Sequence, residues 1–150
     1  MNFAFRLKYR FFNAFREIFV HHHGSLEFRS KVFALIIAAN DKPPVDCFIM
    51  VKEMGMEIYN DDEDRVNLLM LTTKEIVQKI HDKNHDFNID QLVYKIQQDL
   101  EIVPRYAQKI DIKSLKSLVV LTYNEDTIAY QERILEFLSN LQQQYNPKKR

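Results

Sequence analysis

The side chains best placed by type and spacing to do chemistry are carboxylates at two polar junctions. Asp41 and Asp46 flank the pair Pro43-Pro44, while Glu125, Asp126 and Glu132 surround a second turn. Glu125 and Glu132 are seven positions apart, so two helical turns return them to one side. Oxygen ligands gathered in this way hold a hard divalent cation, calcium, magnesium or manganese, with water completing the shell. The same acids also have a plainer use. Asp41 and Asp126 suit the ends of helices, where a short polar side chain satisfies free backbone groups, and the other acids suit water.

A second cation loop is outlined by Asp82, Asn84, Asp86, Asn88 and Asp90 at alternate positions, with Ile89 at an aliphatic site. It resembles an EF-hand only in part. Phe87 stands where the tight turn needs glycine, and Val93 where a bidentate glutamate belongs, so a helix start explains the segment better. Asn88 followed by Gln91 is a capping-box spacing, and Phe87 with Leu92 suits a hydrophobic staple. Cys47 lies near a helix start, which favours a thiolate, but no histidine can be placed beside it and a small apolar core residue is the expected role. Neither glycine belongs to a phosphate-binding loop, and HExxH, zinc-knuckle and GxSxG patterns are absent. No nucleophile is marked, and a hydrolase would require side chains converging in a cleft.

These groups sit in a chain of 150 residues with 21 basic and 21 acidic side chains, 46% hydrophobic and 12% aromatic. That length suits one domain, and the apolar fraction is too high for general disorder. Two glycines and four prolines leave too few turns for a sandwich or barrel. The longest apolar run, Val32–Ala39, is eight residues, short of the roughly 18 to 20 of a membrane span. One cysteine makes no intrachain disulfide, so a reducing cytoplasm is expected. Charge is uneven along the chain. Residues 1–20 carry Arg6, Lys8, Arg10 and Arg16 against Glu17, whereas residues 41–64 carry eight acids against Lys42 and Lys52. Such segments attract a basic partner, a cation or one another.

The elements that must position these groups read as helices. Residues 3–19 place Arg6, Arg10, Asn13 and Glu17 on one stripe, with Phe5, Leu7, Phe11, Phe12, Phe15, Ile18 and Phe19 over most of the remainder. Such a surface must pack on the body, join a second copy or protein partner, or lie in a membrane interface. Its aromatic and basic interleaving would suit single-stranded nucleic acid, but the continuous apolar face fits protein or lipid better, and no nucleic-acid partner is expected. His21–His23 with Gly24 and Ser25 form a polar joint. Leu26–Asn40 reads as a central buried helix, ended by Pro43-Pro44, with Pro44 opening the next helix to about Tyr59. That helix packs Phe48, Val51 and Met54 or Met56 inward, with Gly55 as a weak point. Asn60–Asp64 starts a long helix to His81; further helices follow from Asn88 and Ile112, and the last carries Ile128, Gln131, Leu135, Leu138 and Leu141. The expected fold is therefore all-α, a compact bundle of six or seven helices over residues 26–142, with residues 1–25 as an added amphipathic helix and joint and residues 143–150 as a frayed basic tail.

Two segments carry a family resemblance. Ala38-Ala39-Asn40-Asp41 before Pro43-Pro44, and Leu121-Thr122-Tyr123-Asn124-Glu125-Asp126 through Glu132, look like the twice-occurring turn of TerB-like helical domains. The turn glycines are missing, Phe48 stands where the first occurrence often has glutamate, and Glu125 replaces aspartate in the second. The resemblance covers residues 28–142. It implies a TerB-like bundle, and with it the settings of tellurite-resistance proteins and of the membrane-proximal domain of DnaJ-type co-chaperones. No His-Pro-Asp motif is present, so no J domain is expected here. The expectation is a non-enzymatic adaptor for a protein partner, cytoplasmic and peripheral on the inner membrane through residues 3–19, with homodimerisation as another cover for that face. The alternative is a cation-binding stress-response protein that uses Asp41, Asp46, Glu125, Asp126 and Glu132, with no required cofactor.

Overall fold

A computed structural model describes residues 24–83 and 86–146, and among them every regular element is helical. The expected amphipathic helix at 3–19, His21–His23, two residues of the cation loop and the last four residues lie outside the described part. The described residues form six α-helices and one 3-10 helix: α1 Gly24–Ile37, α2 Val45–Ile58, α3 Glu63–His81, α4 Ile89–Ile102, the 3-10 helix Pro104–Lys109, α5 Ile112–Val119 and α6 Glu125–Tyr145. The compact all-α bundle read from periodicity is the architecture found.

The centre is α1. Its side chains from Val32 to Ala38 are all buried, as are Leu26, Phe28 and Ser30, and α3, α4, α5, α6 and the 3-10 helix all pack against it. An apolar surface on every side of a helix requires neighbours on every side. Its one buried hydroxyl stays satisfied within the helix, Ser30 Oγ donating to the Leu26 carbonyl at 3.0 Å; Thr73 does the same to Leu69 at 2.8 Å in α3. Lys31 reaches out of α1 to Asp99 of α4 at 2.6 Å, both partly shielded from water.

Local sequence explains the ends of the elements. Asp62, Asn88, Asp111 and Asn124 each accept a hydrogen bond from the backbone N–H three residues on, and Asn88 with Gln91 completes the capping box in both directions at 2.9 Å. The last helix is capped by Asn124, so Glu125 and Asp126 occupy its first turn instead of the junction. Pro44 is the cap before α2, so the helix begins at Val45, one position later than expected. Asn60 and Asp61 adopt φ of 52° and 64°, left-handed backbone that these residue types tolerate, and turn the chain from α2 into α3.

Two expectations need correction. Gly55 is the place where α2 and α3 approach closely, since a Cβ there would stand 3.1 Å from Leu69 Cδ2 and 3.4 Å from Val66 Cγ1. At the other end, α6 continues to Tyr145 where fraying was expected from 143. Gln142 Nε2 donates to the carbonyls of Ala107 and Ile110, and Tyr145 packs on the core.

Candidate functional site

The carboxyl end of α1 is where the two junctions come together. Its last carbonyls lack partners within the helix and must find them elsewhere. Gln131 of α6 donates from Nε2 to the Ile36 carbonyl at 3.0 Å, inside the core. Asn40 donates through its backbone N–H to Ile37 at 3.1 Å, with its side-chain amide 3.4 Å from the same oxygen. His81 at the end of α3 meets the Ala38 carbonyl at 2.9 Å; a carbonyl only accepts, so Nε2 carries the proton. Finally Asn40 Nδ2 donates to Thr122 Oγ1 at 3.3 Å, joining the first turn to the second.

The neutral residues of the two turns meet, then, and the acids stay outside. Asp41, Asp46, Glu125, Asp126 and Glu132 are all exposed. Among the described residues no three histidine, cysteine, aspartate or glutamate side chains stand together as a metal-holding group. Cys47 is 1% exposed, and burial, with the neighbouring Asp46 carboxylate adding to it, pushes its thiol up to about 11. The helix start does not make it a thiolate; the apolar role is the one found.

The surface feature with binding character lies between α2 and α3. A groove of about 590 Å³ is lined by Val45, Phe48 and Ile49 of α2, by Met70, Lys74 and Val77 of α3, and by Pro43 and His81. Val45 is 71% and Ile49 50% exposed, large values for aliphatic residues side by side on one helix. Phe48 is half-buried between them and the core, with the Lys74 ammonium 6.0 Å from its ring centroid. Met56 continues the apolar stripe, 40% exposed. A parallel stripe of exposed acids, Asp46, Glu53 and Glu57, recurs at spacings of seven and four, interrupted on the apolar side by Lys52.

This arrangement follows from how α2 is held. Cys47, Val51 and Gly55 form its buried line, and its principal neighbours are α3 and, to a smaller extent, α5. The opposite side has nothing over it among the described residues. Inward periodicity marked Phe48, Val51 and Met54 or Met56; Met54 is the one packed on the core, Met56 is exposed, and the outer apolar line through Val45, Ile49 and Met56 was not legible as a surface.

No described helix is long and apolar enough to cross a membrane. Compared with family models, curated proteins and solved structures, the chain matches none of them.

Proposed function

We propose that this chain is a non-enzymatic adaptor that seats a basic, amphipathic helical segment of a protein partner along the α2–α3 groove. The observation that carries this reading is the pairing of stripes on α2: Val45, Ile49 and Met56 exposed beside Phe48, and Asp46, Glu53 and Glu57 exposed alongside them. An apolar groove takes the greasy face of a helix, and a flanking row of carboxylates selects arginine or lysine on its shoulder. The same acids repel the phosphates of nucleic acid.

A TerB-like kinship belongs to the proposal. It is supported by the contact between the two turns that carry the resemblance, made through Asn40 and Thr122. With it comes the proposed setting, an adaptor of a co-chaperone or stress-response system held near the inner face of a membrane.

The test is fluorescence anisotropy with a labelled Leu/Lys amphipathic helical peptide unrelated to this chain. Binding is expected to weaken about tenfold with Ile49→Asp and with Glu53→Lys/Glu57→Lys. Binding that neither variant changes removes the groove from the reading.

A further inference from the structure

We propose that the polar cleft between α4 and the carboxyl end of α6 binds a saccharide, an uncharged ring held by hydrogen bonds to its hydroxyls and by packing on tyrosine. The cleft shares no lining residue with the α2–α3 groove, so the two sites stand or fall separately.

The cleft follows from a break in the chain. Proline removes a backbone donor and disfavours a helical residue before it, so α4 stops at Ile102 and the chain winds from Pro104 into the 3-10 helix. That short helix packs on both α4 and α6, which are not principal neighbours of each other. Gln142 fixes the end of α6 in place, its Nε2 donating to the Ala107 carbonyl of the 3-10 helix and to the Ile110 carbonyl just past it. A cleft of about 390 Å³ remains beside α4, within the roughly 300 to 1,000 Å³ of ligand sites.

Its lining is polar where two neighbouring helices ordinarily bury apolar side chains. Tyr94, Gln97, Gln98 and Glu101 recur at three- and four-residue spacing along α4, on a different stripe from the buried Leu92, Ile96 and Leu100. Gln144 and Tyr145 line it from α6, and the buried Leu141 is its one aliphatic member. Gln98 Nε2 donates to the Tyr94 hydroxyl at 3.1 Å, which leaves that hydroxyl its own proton to give. Gln97 and Gln144 make no side-chain hydrogen bond with another described residue, so their amides are unspent.

These groups define the ligand. An amide presents donor and acceptor together and a carboxylate only accepts, a set answered by hydroxyls, which do both. Tyr94 is 60% exposed, and the C–H face of a pyranose ring packs flat on such an aromatic surface with its hydroxyls around the edge. No basic side chain lines the cleft and Glu101 does, so a phosphate or carboxylate is repelled, and nucleotides and acidic peptides are the wrong class. One leucine is too little apolar surface for a lipid chain.

The experiment titrates the full chain with glucose, N-acetylglucosamine, cellobiose and uracil, following amide shifts in ¹H–¹⁵N spectra. Saturable shifts at residues 94–101 and 141–145 are expected with at least one saccharide, at a dissociation constant of about 1 to 10 mM. Tyr94→Ala and Gln97→Leu/Gln144→Leu are each expected to weaken that binding about tenfold, and Tyr94→Trp, which keeps a stacking face, to stay within about twofold of the parent. Circular-dichroism melts check that the variants are folded; should the glutamine pair melt early, the two Tyr94 variants carry the test. Cellobiose bound more tightly than glucose supports the end of a glycan chain as the occupant, and equal binding a single sugar. No saturation by any saccharide at about 50 mM overturns the assignment, as does binding that the variants leave unchanged. Shifts centred on other helices do the same, and uracil binding as tightly as the sugars would make the cleft a slot for flat heterocycles instead.

Discussion

Asn40 and Thr122, 82 positions apart, are hydrogen-bonded to each other in the core at 3.3 Å, Nδ2 to Oγ1. The bond ties the turn after the central helix to the turn before the last one, and both residues are less than a tenth exposed. Asn40→Ala and Thr122→Ala are each expected to cost about 1 to 2 kcal/mol, and the double mutant less than the sum by about 1 kcal/mol. Urea melts of the four proteins check this; strict additivity would mean that the two turns are held by packing alone.

Gln131 lies on the core side of α6 at 1% exposure, and its amide closes the Ile36 carbonyl. Its own Oε1 has no partner among the described residues. Gln131→Leu keeps the volume and orphans the carbonyl, so a loss of about 1 to 3 kcal/mol is expected in spite of the more apolar side chain. A gain in stability would show that burying the unpaired Oε1 costs more than the bond returns.

Gly55 sets the spacing of α2 and α3. Alanine there gains about 1 kcal/mol of helix propensity, but its Cβ presses on Leu69 Cδ2, the free end of a side chain. Gly55→Ala is expected within about 1 kcal/mol of the parent, and Gly55→Leu to lose about 2 to 4 kcal/mol by forcing the helices apart. Thermal melts by circular dichroism separate the two; a tolerated leucine would show a looser packing of α2.

Cys47 links stability to alkaline pH. Its thiol ionises near 9 in the unfolded chain and at about 11 in the native one, so below 9 both forms hold the proton and nothing changes. Between those values unfolding releases a proton, and native stability falls as pH rises, by up to about 3 kcal/mol. Burial also raises the Tyr59 hydroxyl, whose contribution runs in the same direction above 10. The difference between parent and Cys47→Ala in urea melts at pH 8 and pH 10.5 isolates the thiol. A parent that declines no more than the variant would place Cys47 in contact with water.

Calcium, magnesium or manganese at about 5 mM is expected to move the melting temperature by less than about 1 °C, since Asp41, Asp46, Glu125, Asp126 and Glu132 are exposed and do not converge. A rise of several degrees that Asp41→Asn/Asp126→Asn abolishes would restore the cation reading.

The helices were legible because their signals are local. Val66, Leu69, Thr73 and Val77 mark α3 by spacing, and Asn88 with Gln91 announces α4 by a bond spanning three residues. Gln131 could be placed on an inward stripe in the same way, but its partner, Ile36, is 95 positions distant and no local pattern reports it. Gly55 was misread for the same reason: its lack of a side chain weakens an isolated helix, and only the presence of α3 turns that into close packing. The site suffered most. Asp41 sits where the chain turns and Asp126 in the first turn of α6, yet the joining of the two turns is done by Asn40 and Thr122, whose amide and hydroxyl tolerate burial far more readily than a carboxylate. The groove depends on α2 having few neighbours, a property of the assembled bundle.

The position of α1 in the chain has a consequence for biosynthesis. Among the described residues, the most thoroughly enclosed helix leaves the ribosome before every helix that encloses it, and the last of these, α6, is completed about 100 residues later. At the usual pace of translation that is an interval of roughly 5 to 20 seconds during which Val32–Ala39 has no native shelter. A chaperone that grips short greasy stretches on nascent chains would find its strongest foothold there, so depleting such a factor should send newly made chains into the insoluble fraction while leaving mature molecules untouched.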